Sequence, residues 1–120
     1  MAQFKFLLWL VYWYDRTDFF EFEWDSYNRL KILNKHEISH YEVESVFWSK
    51  KSFPLGIQIF PVSEVEDRFS IVGLSEKKRV LFIVFTIRYG KIRAISGRRA
   101  SRNERKFHEK LCSQTIKNVR

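Results

Sequence analysis

The sequence predicts an α+β fold, in which an antiparallel β-sheet of about four to five strands packs with two N-terminal helices and one C-terminal helix. The first observation is the order of the local patterns, which runs strand, helix, helix, several strands, helix. The second is the almost continuously apolar run from Val80 to Arg88, followed by Tyr89-Gly90 and the alternating segment from Lys91 to Arg98. These features are typical of a central strand and its hairpin partner. The chain has 120 residues, which favours a single domain.

The first predicted elements are a strand over Phe19 to Trp24 and a helix over about Ser26 to His36. Asp25 is a suitable N-cap for this helix, because its carboxylate can accept from backbone amides of the first turn. The apolar residues expected to face the core are Tyr27, Leu30, Ile32 and Leu33.

A second helix is predicted to begin after Ser39. Ser39 and Glu42 have the spacing of a capping box, in which each side chain satisfies a backbone amide of the other residue. Val43, Val46 and Phe47 follow at the spacing of one apolar helix face. The helix is therefore expected to pack on the core through these three residues.

The later elements are strands followed by one helix. Strands are predicted over Ile57 to Phe60 and over Arg68 to Gly73. Ser101 and Glu104 form a second capping box, which opens a basic helix to about Leu111. Period-two counting along the last strand places Ile92, Ala94, Ser96 and Arg98 on one face, and Lys91, Arg93, Ile95 and Gly97 on the other.

The first residues differ in composition from the rest, since Phe4 to Tyr14 is apolar except for Lys5. We expect an aromatic extension over residues 1–18, one domain over 19–112 and a polar tail over 113–120. The extension would form an extra strand, or an aromatic patch that a partner covers. A secretory signal is not favoured, because neither a basic leading region nor an A-x-A site is present.

Charge is concentrated at the C-terminal end. Residues 1–87 hold 11 basic and 12 acidic side chains, whereas residues 88–120 hold 11 basic and 2 acidic ones. Such a basic region favours a polyanionic partner. Nucleic acid is the partner that the charge favours most, followed by an acidic protein segment or a membrane surface. A solvated basic tail without a specific partner is the alternative.

Several chemistries are excluded or disfavoured. The single cysteine, Cys112, excludes an intramolecular disulfide and a CxxC site, and no phosphate-loop, dinucleotide or zinc-protease motif is present. His36 and His40 are four residues apart, but the helix start at Ser39 would separate their faces, and no third metal ligand is evident. We therefore expect no metal and no cofactor.

Arginines near the last strand indicate a phosphate cradle, because guanidinium groups bind phosphate bidentately. Such a cradle permits cleavage of RNA without a metal, since the 2′-hydroxyl of the RNA is the nucleophile. His36 can transfer a proton near neutral pH, and Lys35, Arg93 and Arg98 can stabilise charge. Candidate RNA-binding residues are Arg68, Arg88, Arg99, Arg102 and Arg105. Alternatively, each arginine forms a surface salt bridge to an acid such as Glu42, Glu44, Glu66 or Asp67.

About residues 20–110 resemble the BrnT-type toxins. The residues that carry the resemblance are Phe22-Glu23-Trp24-Asp25, Asn28, Lys35-His36, Ile38-Ser39, Glu42-Val43-Glu44-x-Val46-Phe47, Arg68-Phe69, Gly73, Phe85-Thr86-x-Arg88-x-Gly90-Lys91-Ile92-Arg93-x-Ile95-Ser96 and Arg98-Arg99-Ala100-x-x-x-Glu104-Arg105. The chain departs from the pattern at Asn28, where many members have lysine, at Glu37, where glycine often follows the histidine, and at Gly97, where alanine is common.

The resemblance implies a cytoplasmic ribonuclease toxin of a type II toxin–antitoxin pair, with a RelE-like fold and no metal requirement. Its partner would be a ribbon-helix-helix antitoxin, and operator DNA would be contacted only through that antitoxin. The lysine–histidine pair of the family falls on Lys35 and His36, its late-strand arginines on Arg93 and Arg98, and its helix-opening pair on Glu104 and Arg105. The alternative functions are a binding module for RNA or antitoxin without catalysis, and a membrane-surface or secreted protein led by the aromatic segment.

Overall fold

The computed structural model of the chain describes residues 2–118, with the side chains of residues 2–114. In chain order, the elements are β1 (Gln3–Lys5), α1 (Leu8–Arg16), β2 (Glu21–Phe22), α2 (Ser26–His36), α3 (His40–Trp48), β3 (Phe53–Phe60), β4 (Phe69–Leu74), β5 (Val80–Arg88), β6 (Lys91–Arg99) and α4 (Arg102–Asn118). The α+β class is confirmed, but six strands and four helices replace the smaller numbers that the sequence predicts.

The described part of the chain forms one mostly antiparallel sheet, with the strand order β1-β3-β4-β5-β6-β2. Tyr89 and Gly90 connect β5 to β6, and both adopt positive φ angles, as a tight hairpin turn requires. The strand predicted over Phe19 to Trp24 is reduced to β2, whose Glu21 and Phe22 pair in parallel with the start of β6. The sequence could not show this pairing, because it joins segments about seventy residues apart.

Helices α1, α2 and α3 pack on one face of the sheet and bury a continuous apolar core. The core includes Leu10 and Tyr14 from α1 as well as Val43, Val46 and Phe47 from α3, which confirms the predicted face of α3. The strands contribute Phe69, Ile71, Leu81, Ile83, Phe85, Ile92 and Ala94.

The opposite face of the sheet carries the arginines. Phe82 lies opposite Arg98, Val84 opposite Ser96 and Thr86 opposite Arg93 in the β5–β6 ladder. We call this side, defined by Phe82, Arg93 and Arg98, the arginine face. The prediction that Arg93 and Arg98 lie on opposite faces is wrong.

A β-bulge explains that error. The β5–β6 register shifts between Val84 and Phe85, so that Val84 pairs with Ser96 while Phe85 pairs with Ala94. Ile95 is the extra residue, and such an insertion reverses the alternation of every residue that follows it. Gly97 consequently faces the core, contrary to the predicted grouping.

The opening segment belongs to the same fold. β1 pairs with the edge of β3, and the close approach of the Lys5 carbonyl leaves no room for a Cβ at Gly56, whose φ is +137°. Lys50 donates to the carbonyls of Asp15, at 2.9 Å, and Thr17, at 2.7 Å, at the end of α1. One of the two expectations for residues 1–18, an extra strand, is therefore present, together with a core-packed helix.

The boundaries and N-cap of α2 agree with prediction, but its core face does not. Asp25 accepts from the backbone amide of Asn28 at 2.9 Å, and the Asn28 side chain accepts from the Asp25 amide at 2.8 Å. Asn28 and Ile32 are the buried residues of α2. The expectation that Tyr27, Leu30 and Leu33 face the core is wrong, because the helix turns Asn28 towards β6 instead.

The two other capping predictions differ in outcome. Ser39 accepts from the Glu42 amide at 3.1 Å, but the Glu42 carboxylate binds Arg79 and Ser75 instead of returning to Ser39. The capping box of α3 is thus half formed. The box of α4 is complete, since the Ser101 amide donates to Glu104 at 2.7 Å and the Glu104 amide donates to Ser101 at 3.2 Å.

Helix α4 continues beyond the predicted end near Leu111 and includes the start of the expected polar tail. The last two residues of that tail, 119 and 120, lie outside the described residues.

Candidate active site

Helix α2 runs alongside β6, and this arrangement determines which of the candidate site residues lie close together. At the start of α2, the Asn28 side chain donates to the Ala94 carbonyl at 3.2 Å. Further along, Ile32 faces Gly97, at 3.6 Å from the position that a Cβ would occupy there. The two ends of β6 therefore lie near opposite ends of α2. Arg93 and Arg98 are about 15 Å apart along the strand, from the rise per residue.

Arg98 is held from two sides. Its two terminal nitrogens donate to the two carboxylate oxygens of Glu104 at 2.7 and 2.9 Å. Its guanidinium carbon also lies 4.5 Å from the ring centroid of Phe82. Burial opposes ionisation of Glu104, but the hydrogen bonds from Arg98 and Ser101 outweigh it and lower the pKa of that carboxyl. The pair is thus ionised and oriented at neutral pH.

His36 is the last residue of α2 and lies within electrostatic range of Arg98. Burial first, and then the positive charges of Lys35 and Arg98, lower the pKa of the imidazole below its ordinary value. A neutral imidazole can accept a proton at neutral pH. Lys35, His36, Arg98 and Glu104 form what we call the His36 cluster.

A second group surrounds the β5–β6 turn. Arg93 binds Asp25 at 2.6 Å and Glu23 at 3.3 Å, and Arg88 binds Glu66 at 2.8 Å. The amide of Asn28, and then Arg93, lower the pKa of Asp25. We call Glu23, Asp25, Glu66, Arg88 and Arg93 the hairpin cluster. Its three carboxylates outnumber its two guanidinium groups, so the cluster has no spare positive charge.

Arg68 precedes β4 and, by the alternation of the strand, is on the arginine face together with Ser70. Arg68 Nε and Ser70 Oγ are buried, and neither has a hydrogen-bond partner within the described residues. Arg68 also forms no ion pair with that part of the chain. Buried donors of this kind are normally satisfied, so this pair is a candidate contact for an anionic ligand. Sequence reasoning missed Ser70, although its position two residues after Arg68 was a usable signal.

The remaining arginines surround the start of α4. Arg99 and Arg102 are exposed, and neither forms an ion pair with the described part of the chain. Arg105 donates to the Ala100 carbonyl at 2.9 Å. Exposed positive charge without an ion pair in the described residues therefore lies next to Arg98 in sequence, at Arg99 and Arg102, whereas near Arg93 such a charge is found at Lys91.

The three departures from the family pattern have local explanations. Asn28 is buried and joins α2 to β6 through its side chain. Glu37 ends α2 in a left-handed conformation, with φ 56° and ψ 39°, which glycine adopts at less cost. At Gly97 an added Cβ would lie 3.6 Å from Ile32 and Val43, an ordinary contact distance. Alanine would consequently fit there.

Two clefts lie away from the His36 cluster. Clefts of about 740 and 840 Å³ flank α4, one against α3 and the other against α1, β1 and β3. Neither cleft is lined by His36, Arg98 or Arg68. The candidate site is therefore outside both clefts, at a surface where Lys35 is exposed and the Arg98 side chain is 40% exposed.

Within residues 2–118, no helix has the length and apolar character needed to cross a membrane. The same part of the chain contains no group of three or more histidine, cysteine, aspartate or glutamate residues that could hold a metal ion. His36 and His40 are in different helices.

Fold and site together define an α+β protein with arginines along one face of the sheet and a histidine of lowered pKa, His36, near Arg98. A family model described as the ribonuclease toxin BrnT of type II toxin–antitoxin systems matches residues 24–104. This match spans about two thirds of the chain, and the chain belongs to that family. It includes the region from the start of α2 to the first turn of α4, and hence every member of the His36 cluster. None of the curated proteins matches the chain.

Proposed function

We propose that the chain is a metal-independent endoribonuclease that inhibits translation by cleaving RNA. The observation that carries the proposal is the His36 cluster, in which a neutral imidazole lies near a guanidinium group oriented by Glu104 and Phe82. The family supplies the expectation of a ribonuclease toxin with an antitoxin partner. The finer statements, on metal, target process and antitoxin class, are our proposal.

In the proposed reaction, His36 takes the proton of an RNA 2′-hydroxyl. The 2′-oxygen then attacks the adjacent phosphorus, and the bond from phosphorus to the 5′-oxygen breaks. The products are a 2′,3′-cyclic phosphate and a 5′-hydroxyl, whose proton comes from water at this open surface. Arg98 would stabilise the charge that develops on the phosphoryl oxygens. No metal is needed, because the substrate supplies the nucleophile and guanidinium groups supply the positive charge.

Binding of the RNA would use the unpaired basic groups around the cluster. Lys35, Arg99 and Arg102 are exposed, so phosphate can reach them without the loss of an internal ion pair. Arg68 and Ser70 would hold a second phosphate on the arginine face. Arg88 and Arg93, which are bound to carboxylates, would contribute less.

The partner proposed for the chain is a ribbon-helix-helix antitoxin. The chain would contact operator DNA only through this antitoxin. The toxin would act in the cytoplasm, where its RNA substrate is translated.

A non-catalytic module that binds RNA or antitoxin is the second candidate function. It is favoured by the ion pairs of Arg88, Arg93 and Arg98, which engage three of the four arginines of β5 and β6 in carboxylate contacts.

The test is incubation of the purified chain with total RNA in EDTA, beside His36→Ala and the matched control His40→Ala. We expect cleavage by the wild type and by His40→Ala, with 2′,3′-cyclic phosphate ends. His36→Ala should lower the rate by about 100-fold or more, as loss of a general base does. Equal cleavage by His36→Ala would contradict the role of His36. RNA binding without cleavage would favour the binding module.

A further inference from the structure

The side of α2 that faces solvent carries a stripe of three large apolar side chains, together with the polar Ser26 and Asn34. At 100° per residue, Tyr27, Leu30 and Leu33 lie on the side of the helix opposite the buried Asn28 and Ile32. They are 73%, 46% and 42% exposed. A surface helix normally presents polar residues in these positions, so the stripe requires an explanation other than the packing of this chain.

The charged side chains within α2 all have one sign, and the exposed Glu37 follows its last residue. Helix α2 contains Arg29, Lys31 and Lys35 and has no acidic residue. Arg29 lies on one side of the stripe, and Lys31 and Lys35 lie on the other. None of the three forms an ion pair with the residues that the structure describes. The helix thus presents two turns of apolar surface between unpaired positive charges.

We propose that α2 is a docking site for an acidic amphipathic helix of the antitoxin. This proposal rests on the proposed function only in taking the antitoxin as the partner. Apolar residues at three-residue spacing are suited to helix-on-helix packing, and acidic side chains beside the partner's apolar stripe would pair with the three basic groups. A second copy of this chain is less suitable, because it would bring like charges together.

Docking on α2 would also regulate the candidate site. Lys35 and His36 form the end of this helix, and His36 lies near Arg98. A partner helix that packs along α2 would consequently pass beside the His36 cluster and hinder the approach of RNA. Inhibition would then require no direct contact with the imidazole.

The test uses a candidate ribbon-helix-helix antitoxin with an acidic amphipathic helix, titrated calorimetrically into the full-length protein at physiological salt. The variant is Leu30→Lys/Leu33→Lys, which disrupts the stripe and leaves the basic charges in place. The control is Val62→Lys/Val65→Lys, which changes two exposed valines in the link between β3 and β4. We expect about a 100-fold weaker dissociation constant for the α2 variant and no change for the control.

Two further measurements show whether the variants are folded and where the antitoxin binds. Circular dichroism should show that both variants are folded, since all four residues are exposed. Hydrogen exchange should show that the antitoxin protects the α2 region of the wild type. Lys31→Glu should weaken binding as well, and its effect should diminish as salt is added.

Unchanged antitoxin affinity in the α2 variant overturns the proposal, and so does a wild-type chain that does not bind the antitoxin. Loss of binding to anionic vesicles, or of self-association, with antitoxin binding intact, would assign the stripe to lipid or to a second copy and also overturn it. RNA cleavage is measured on the same samples. Absence of cleavage with the predicted loss of antitoxin affinity would refute the ribonuclease proposal alone.

Discussion

The two ends of β6 present the same residue type on the same face of the sheet, but in opposite electrostatic settings. Arg93 is 18% exposed in its side chain and forms ion pairs with Asp25 and Glu23, whereas Arg98 is 40% exposed and, within the described residues, forms an ion pair with Glu104 only. The exposed Arg99 and Arg102 are near Arg98 in sequence, whereas Arg93 is bound by two carboxylates and has the exposed Lys91 nearby. From this comparison we expect the balance of charge around each arginine to decide whether it can bind a phosphate.

The difference between Arg93 and Arg98 is tested most strongly by replacing each of them in turn with alanine. Arg98→Ala should lower the rate of RNA cleavage by about 100-fold to 1,000-fold, because it removes charge stabilisation at the reacting phosphate. Arg93→Ala should change the rate by less than about threefold, since Arg93 is engaged elsewhere. The rates are measured on one defined RNA at one salt concentration, with denaturation curves to confirm folding. Equal losses in the two variants would contradict the distinction between the two ends.

The role of Glu104 is tested through stability. Glu104→Gln keeps the size of the side chain but loses the charge that binds Arg98, and should lower the free energy of unfolding by about 1 kcal/mol at neutral pH. The pKa of Glu104 is lowered in the folded state, so its contribution is present above the unfolded-state pKa. It is lost as the pH falls through the folded-state pKa. Denaturation at several pH values should therefore show wild type and variant converging in acid. A constant difference would contradict this origin.

A substitution at Glu37, the residue that ends α2 after His36, should stabilise the protein without altering the candidate catalytic groups. Glu37→Gly should raise the free energy of unfolding by about 0.5 to 1 kcal/mol, because glycine adopts the left-handed conformation without strain. Urea denaturation measures the change, and Glu76→Gly serves as an exposed control outside a positive-φ position. A destabilised Glu37→Gly variant would show that the Glu37 side chain contributes more than the backbone strain costs.

The smallest expected effect is on the titration of His36. Arg98→Gln removes a positive charge near the imidazole, so the pKa of His36 should rise towards its ordinary value. NMR titration of the ring protons measures this shift, with His40 as the reference in the same sample. Burial is the larger cause of the lowered pKa, so the return should be incomplete. An unchanged His36 titration would place Arg98 outside its electrostatic range.

Local patterns predicted the elements whose signals lie within one segment. The limits of α2 with its Asp25 cap, the Val80–Arg88 strand, the turn at Tyr89-Gly90 and the capping box of α4 all agree with the structure. In each case the residues that determine the element are within a few positions of one another. The family resemblance also pointed to the chain segment that the family match later confirmed.

Features that depend on contacts between distant segments could not be predicted. The bulge at Ile95 arises from the register with β5, and it moves Arg98 to the same face as Arg93. Glu42 has its partner 37 residues away at Arg79, so its capping spacing was misleading. Asn28 is turned inward by the Ala94 carbonyl, which leaves Leu30 exposed. The ion pairs of the hairpin cluster likewise join Asp25 to Arg93 across 68 residues.

The central claim is that RNA engages the Arg98 end of β6 and not the Arg93 end. The most direct test is an NMR titration with a 2′-O-methyl RNA oligonucleotide, which lacks the nucleophile and so remains intact. We predict that the largest shifts occur at His36, Arg98, Arg99 and Arg102, with small changes at Arg88 and Arg93. Dominant shifts at Arg88 and Arg93, with His36 unaffected, would contradict the account.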